Sequence, residues 1–306
     1  MCVASGASGL GQTGRMSPEA IAADDTSIRL VATDLDGTLL TSDEKISART
    51  KAAAHALIDA GLELVLVTGR PPRWLPPVLA DLDLIVTCVC ANGAITIEPA
   101  TQEVSFLAGI TSADALHAAE ILRAVVPEVG FAVETAPSPD DIWGHATAFA
   151  HDLEYTPRWP TAPGTKVAPL TELLDDRMVL KLLARSELRL SQREVDSIVH
   201  AAREALGQRV EVTHSERDRL LLEVSAPGVD KGAALARVAG SRGIEAKNVA
   251  AVGDMMNDLP MLQWAGHRYA VANAHPELLR IGRPLPHHDD DAVAQLLEQV
   301  IADARA

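Results

Sequence analysis

Ile28-Arg-Leu-Val-Ala-Thr-Asp34-Leu-Asp36-Gly-Thr38 joins a short apolar run to two carboxylates two residues apart. The run has the length and composition of a buried strand. Gly37 permits a tight reversal where that strand ends, so Asp34 and Asp36 can converge on one point. Unpaired at ~4 Å, two such charges repel by about 4 kcal/mol at an effective dielectric of ~20. A bound cation or a shared proton must relieve that repulsion. An Asx-rich turn is the plainer explanation of the same residues, and it leaves the spacing unexplained.

Working outward, other segments repeat the pattern of strand, turn and helix. Residues 62–67 and 84–89 are apolar runs, the first preceded by a helical pattern over 47–60 that Gly61 stops. Residues 248–252 form another, preceded by a helix over 231–242 that Gly243 stops. Strands alternating with helices predict a parallel sheet with right-handed crossovers. Ligands of such sheets bind at the carboxyl ends of the strands. The middle of the chain reads differently. It offers a strand near 104–110, a helix over 112–126, a strand at 130–134 and a Pro-rich stretch over 136–169. A strand at 178–183, a helix over 191–205 and a hairpin of 210–213 with 220–224 follow. This predicts an α+β unit inserted into an α/β domain.

Three further signals sit where the parallel-sheet reading puts chemistry. Val67-Thr68-Gly69-Arg70 offers a hydroxyl and backbone amides at a strand-to-helix turn, a setting that binds phosphate oxygens. Lys231, in Gly228-Val-Asp-Lys-Gly232, heads a helix, and only six of the 27 basic residues are lysines. Val252-Gly-Asp254-Met-Met-Asn257-Asp258 spaces Asp254, Asn257 and Asp258 at i, i+3 and i+4, on one turn of a nascent helix. A common turn, a solvated lysine and a helix cap would explain any one alone. Their shared location at strand ends is what carries weight. His287-His-Asp-Asp-Asp291 looks like a metal tract but reads as a solvated loop before the last helix.

Asp34-Leu-Asp-Gly-Thr38, Thr68, Lys231 and Gly253-Asp-x-x-Asn-Asp258 resemble, in order, the four motifs of the haloacid dehalogenase (HAD) superfamily. Asn92-Gly-Ala94, the placement of the insert and Asn273-Ala274 resemble its Cof-like branch. The resemblance implies a Rossmann-like parallel-sheet core at 28–107 and 222–306, with an inserted α+β cap at 108–221 that carries specificity. It implies Mg²⁺-dependent hydrolysis of a small phosphomonoester, such as a sugar phosphate or phosphorylated cofactor. Asp34 would be the nucleophile that forms an aspartyl-phosphate, and Asp36 the general acid and base. The metal would take Asp34, Asp254 and the backbone carbonyl of Asp36. Thr68, Gly69, Lys231 and Asn257 would hold the phosphoryl oxygens, and Asp258 would support Lys231 or a metal-bound water. A phosphomutase or phosphotransferase would use the same residues, and a binding protein on this fold is a third reading. Lys181 and Asp140-Asp-Ile-Trp143 are candidate cap contacts, although packing is the ordinary role for each.

Composition limits the partners. Acidic residues number 42 against 27 basic, a net charge of −15, which argues against nucleic acid and anionic membrane surfaces as partners. A local phosphate site remains compatible with that balance. Cys2, Cys88 and Cys90 give no disulfide framework, which points to a reducing, cytoplasmic compartment. Cys88 and Cys90, two apart in an apolar run, are expected to fill one strand face as small hydrophobes. No uninterrupted apolar stretch reaches the ~18 residues of a membrane helix. Residues 1–27, rich in Gly, Ser and Ala, read as a disordered extension without a signal-peptide core.

Overall fold

The computed structural model describes residues 27–144, 148–158, 161–174, 177–214 and 220–305. The extension expected over 1–27 lies, apart from Ser27, outside them. In chain order the strands are β1 (Leu30–Thr33), β2 (Glu63–Val67), β3 (Thr87–Cys90), β4 (Ile95–Glu98) and β5 (Glu103–Leu107). Next come β6 (Val129–Thr135), β7 (Phe149–His151), β8 (Lys166–Val167), β9 (Val179–Ser186), β10 (Glu211–His214) and β11 (Leu220–Ser225). The last are β12 (Val249–Gly253), β13 (His267–Ala270) and β14 (Arg283–Pro284).

Two sheets result. The first has the order β14-β13-β12-β1-β2-β3-β4-β5. Its strands run parallel from β14 to β3, and β4 and β5 add an antiparallel edge. β1 lies between β12 and β2, with Leu30 opposite both Val249 and Glu63. Every residue of β1, β3 and β12 is buried, as expected of parallel strands covered on both faces. Cys88 and Cys90 are buried free thiols in β3. Among the described residues no helix is long and apolar enough to cross a membrane.

The second sheet, β10-β11-β9-β6-β7-β8, falls in the chain between β5 and β12. It is antiparallel apart from the β7–β8 pair. The expected hairpin is present, Glu211 pairing with Ser225. One boundary needs correction. β11 lies wholly in the second sheet, so a division between 221 and 222 would cut a strand, and the first sheet resumes only after Ser225. The Pro-rich stretch hides the short strands β7 and β8. They are too brief, and too interrupted by turn residues, to show a period.

Strand alternation gives the second sheet two unlike faces. Leu180, Leu182 and Ala184 of β9 join the main core with Ala115, Ala119 and Leu122 of the helix Ser112–Val125. Lys181, Leu183 and Arg185 face the other way and line a cavity of about 600 Å³ between the sheets. The helix Gln192–Leu206 covers the same side as Ser112–Val125, and the box formed by Ser191 and Glu194 starts it.

Candidate active site

The centre of the site is built from backbone ends. The Asp34 amide donates to Val252 O at 3.1 Å, which ties the end of β1 to β12. Beyond Asp34 the chain makes a single wide turn, with Leu40 N donating to Leu35 O at 2.9 Å. Gly37 has φ +74°, a left-handed conformation that side chains disfavour. A Cβ there would lie 2.6 Å from Asp254 Oδ2, so glycine also lets the two loops close on each other. Asn273 Nδ2 donates to Gly37 O at 2.8 Å and holds the turn from β13's side.

Lys231 opens the helix Lys231–Ser241, which Asp230 caps by accepting from Ala233 N at 2.7 Å. Its buried Nζ donates to Asp34 Oδ1 at 2.6 Å and to Asp258 Oδ1 at 2.5 Å. Asp258 is fully engaged, because its Oδ2 also accepts from the Asp254 and Met255 amides, each at 2.9 Å. That fold-back needs Gly253, where a Cβ would meet Asp258 Cγ at 2.5 Å. The i, i+4 spacing therefore acts as read, with Asp258 bracing both Lys231 and the Asp254 loop.

Asp34, Asp254 and Asp258 each place a carboxylate oxygen within 4.8 Å of the others. Burial pushes the Asp34 carboxyl well above the ordinary range. Lys231 opposes this, and Asp258, Asp254 and Asp36 add to it. Burial works against the Lys231 ammonium too, but Asp258 and Asp34 outweigh it and hold the amine above its usual value. Three carboxylates thus face one ammonium. An all-oxygen donor set with excess negative charge fits a hard divalent cation, which would lower the Asp34 pKa again. Thr38 Oγ1 and Asn257 Oδ1, both buried, have no hydrogen-bond partner, which also fits a site shaped for a polar guest.

Asp36 stands apart from this cluster. Its half-exposed carboxylate is gripped at both oxygens by Arg70, Nε–Oδ2 2.8 Å and Nη2–Oδ1 2.5 Å. Only its backbone carbonyl is left for the metal role the resemblance implies. Arg70 follows Thr68 and Gly69 in the quoted motif, yet nothing in the sequence marks it as a partner for Asp36. Thr68 is fully buried and accepts from Arg70 N at 3.0 Å. Asn257 borders the cavity beside Gly69, where a Cβ would lie 3.6 Å from its Nδ2. All eight predicted side chains or loops therefore gather at the carboxyl ends of β1, β2 and β12.

One regional expectation is extended. The 287–291 tract is partly exposed, with Asp289 and Asp290 at the surface, and it also acts as a brace. Asp289 accepts from Ser42 N and Oγ, both at 2.7 Å, and His288 Nδ1 lies 2.7 Å from Leu40 O. Asp291 accepts from Ser47 Oγ at 2.5 Å. Of the two cap candidates, Lys181 borders the cavity, whereas Ile142 and Trp143 pack with the core. Asn92, Glu223, Arg73 and Glu134 complete the site without any assigned role in the sequence. Glu223 accepts from Lys181 and Asn92, and Glu134 from Arg73. The available signal was a charged residue on an otherwise apolar strand, Glu223 between Leu222 and Val224.

Comparison with known proteins agrees with this architecture. The model of the haloacid dehalogenase-like hydrolase family matches residues 31–297. A 5-amino-6-(5-phospho-D-ribitylamino)uracil phosphatase of Bacillus subtilis, YwtE, is 28% identical over 302 residues, covering 90% of this chain and 99% of its own. An HMP-PP phosphatase of Cronobacter sakazakii is 30% identical over 266 residues, covering 85% and 88%. The crystal structure of SMU.1108c from Streptococcus mutans has a TM-score of 0.74 at 20% identity, covering 90% of this chain and all of that one, and so shares its fold. With a family match over nearly the whole described chain and an acidic centre at the strand ends, the protein belongs to the haloacid dehalogenase-like hydrolases, in their Cof-like branch.

Proposed function

We propose that the protein is a phosphatase that hydrolyses a small phosphorylated metabolite through an aspartyl-phosphate on Asp34. The observation that carries this reading is the buried contact of Asp34 with Lys231, set beside Asp254 at the floor of a cavity roofed by a second sheet. The Bacillus subtilis and Cronobacter sakazakii relatives support it, since both are phosphatases of small phosphorylated compounds.

Asp34 attacks phosphorus as an ionised nucleophile. Lys231 holds that carboxylate in line and offsets the charge of the incoming phosphoryl group. Thr68, the backbone at Gly69 and Asn257 hold the remaining phosphoryl oxygens. Asp36 gives a proton to the leaving oxygen and later takes one from the attacking water. To do so it leaves Arg70, takes up a proton from water at the cavity wall, and meets the leaving group there. Asp258 touches no substrate and keeps Lys231 and the Asp254 loop in place. Mg²⁺, held by Asp34, Asp254 and the backbone carbonyl of Asp36, would neutralise phosphoryl charge. The second sheet acts as a cap, its Leu183, Leu221 and Phe149 bordering the space for the leaving group.

The direct test is phosphate release from a panel of phosphomonoesters with and without Mg²⁺, in wild type and Asp34→Asn. Metal-dependent release that the variant abolishes supports the reading. Phosphoryl transfer between sugar phosphates without net release would replace it with a mutase.

A further inference from the structure

Lys181 and Glu223 form an ion pair on the cavity face of the second sheet, Nζ–Oε1 2.7 Å, with side chains 3% and 6% exposed. Each partner also reaches the first sheet. Lys181 Nζ donates to Gly69 O at 2.7 Å. That carbonyl belongs to the Gly69–Arg70 peptide, whose N–H donates to Thr68 Oγ1 at 3.0 Å. The peptide is planar, so fixing its two ends fixes its plane. A hydroxyl that accepts there keeps its one proton for a different acceptor.

The glutamate arm works through amide polarity. Glu223 Oε2 accepts from Asn92 Nδ2, and Asn92 Nδ2 also donates to Thr213 Oγ1 at 3.2 Å. An ionised carboxylate only accepts, so Asn92 must turn its NH₂ toward Glu223 and its Oδ1 away. That Oδ1 accepts from Asn257 Nδ2 at 3.1 Å. The Asn257 amide is thereby oriented too, with one N–H spent on Asn92 and the second left over. Asn92 sits here at φ +55°, next to Ala91 at +50°, left-handed values that cost a non-glycine residue about 1 kcal/mol or more each. The surrounding contacts hold the loop in that conformation and so keep the amide under the site.

We infer that the Lys181–Glu223 pair is a positioning device, through which the second sheet aims the Thr68 hydroxyl and the Asn257 amide at the phosphoryl group. The inference rests on the phosphatase reading for what occupies that spot. Neither Lys181 nor Glu223 touches the phosphoryl group. The cap thus governs the grip on phosphate as well as the choice of leaving group.

Orthophosphate binding, measured by calorimetry with Mg²⁺ present, tests this apart from turnover. Glu223→Gln and Lys181→Met each weaken orthophosphate by about tenfold, the size expected for losing a hydrogen bond to a charged group. Their kcat/KM falls by a similar factor for acetyl phosphate and for bulky esters alike. Asn92→Ala breaks the amide arm without altering the buried pair, so it gives the same loss even if a pair variant fails to fold. Val195→Ala opens a hole between the helix Gln192–Leu206 and the outer side of the second sheet, away from the cavity, and leaves the orthophosphate Kd unmoved while the melting temperature falls. Orthophosphate affinities within twofold of wild type, with KM raised for bulky esters alone, would make the pair a leaving-group contact and overturn the inference. An equal loss in Val195→Ala would overturn it too, by reducing the effect to general loosening of the second sheet. If wild type hydrolyses nothing, the phosphatase reading fails, and the orthophosphate comparison still decides the role of the pair.

Discussion

The floor and the roof of the cavity are built by different rules. The floor uses the carboxyl ends of parallel strands, where each turn presents a fixed side chain and little else. Asp34, Asp254 and Lys231 owe their places to β1, β12 and a helix start, with Gly37 and Gly253 allowing close approach. The roof uses the face of an antiparallel sheet, where every second residue points inward. Lys181, Leu183 and Arg185 follow one another along β9, running from a charged end near the floor, through an apolar middle, to a distal cation. The floor therefore tolerates almost no change, whereas the roof can be varied position by position.

Substitutions can break that contrast, beginning with the largest effect. Asp34→Asn removes the proposed nucleophile, and steady-state phosphate release falls by roughly 10³-fold or more while the melting temperature stays within a few degrees. Gly37→Ala comes next. A Cβ at φ +74° and 2.6 Å from Asp254 Oδ2 must push the two loops apart. Misplacement of that kind costs roughly a hundredfold in kcat and raises the Mg²⁺ concentration needed for half activity. On the roof, Leu183→Ala lowers kcat/KM for a bulky ester by about tenfold and leaves acetyl phosphate within about threefold, since in the proposed function only the leaving group reaches that position. An equal loss with both substrates would erase the distinction between floor and roof.

The smallest effect concerns pH. Burial raises the Glu134 carboxyl above its usual value, against the pull of Arg73. The folded state then binds this proton more tightly than the unfolded state does. Stability from this group is fully present below the ordinary glutamate pKa and declines as pH rises through the raised folded value. Glu134→Gln carries no such proton, so melting temperatures measured across that interval fall less steeply with pH in the variant than in wild type.

The contrast also explains what the sequence revealed. Residues at strand ends sit at fixed short spacings, so Asp34 with Asp36, and Asp254 with Asn257 and Asp258, could be read directly. Their partners across the chain could be ordered along it, because the parallel topology brings strand ends together. The roof residues converge from β6, β9 and β11, whose register depends on pairing between distant segments. Glu223 meets Asn92 across 131 positions of sequence, and no local pattern encodes that contact. Arg70 escaped for a related reason. Its role depends on Asp36 turning away from Asp34, a side-chain choice made by the assembled site. The 287–291 tract shows the same limit, since nothing local tells that its partly exposed side chains also bond Ser42 and Leu40.

The account stands or falls on covalent chemistry at Asp34. Acid quenching of the enzyme during turnover with Mg²⁺ and a good substrate, followed by peptide mass mapping, reads that chemistry directly. The account predicts a phosphoryl adduct on the peptide that carries Asp34, formed as fast as product and absent from Asp34→Asn. Rapid product formation with no adduct on that peptide, in enzyme quenched within a single turnover, would contradict it.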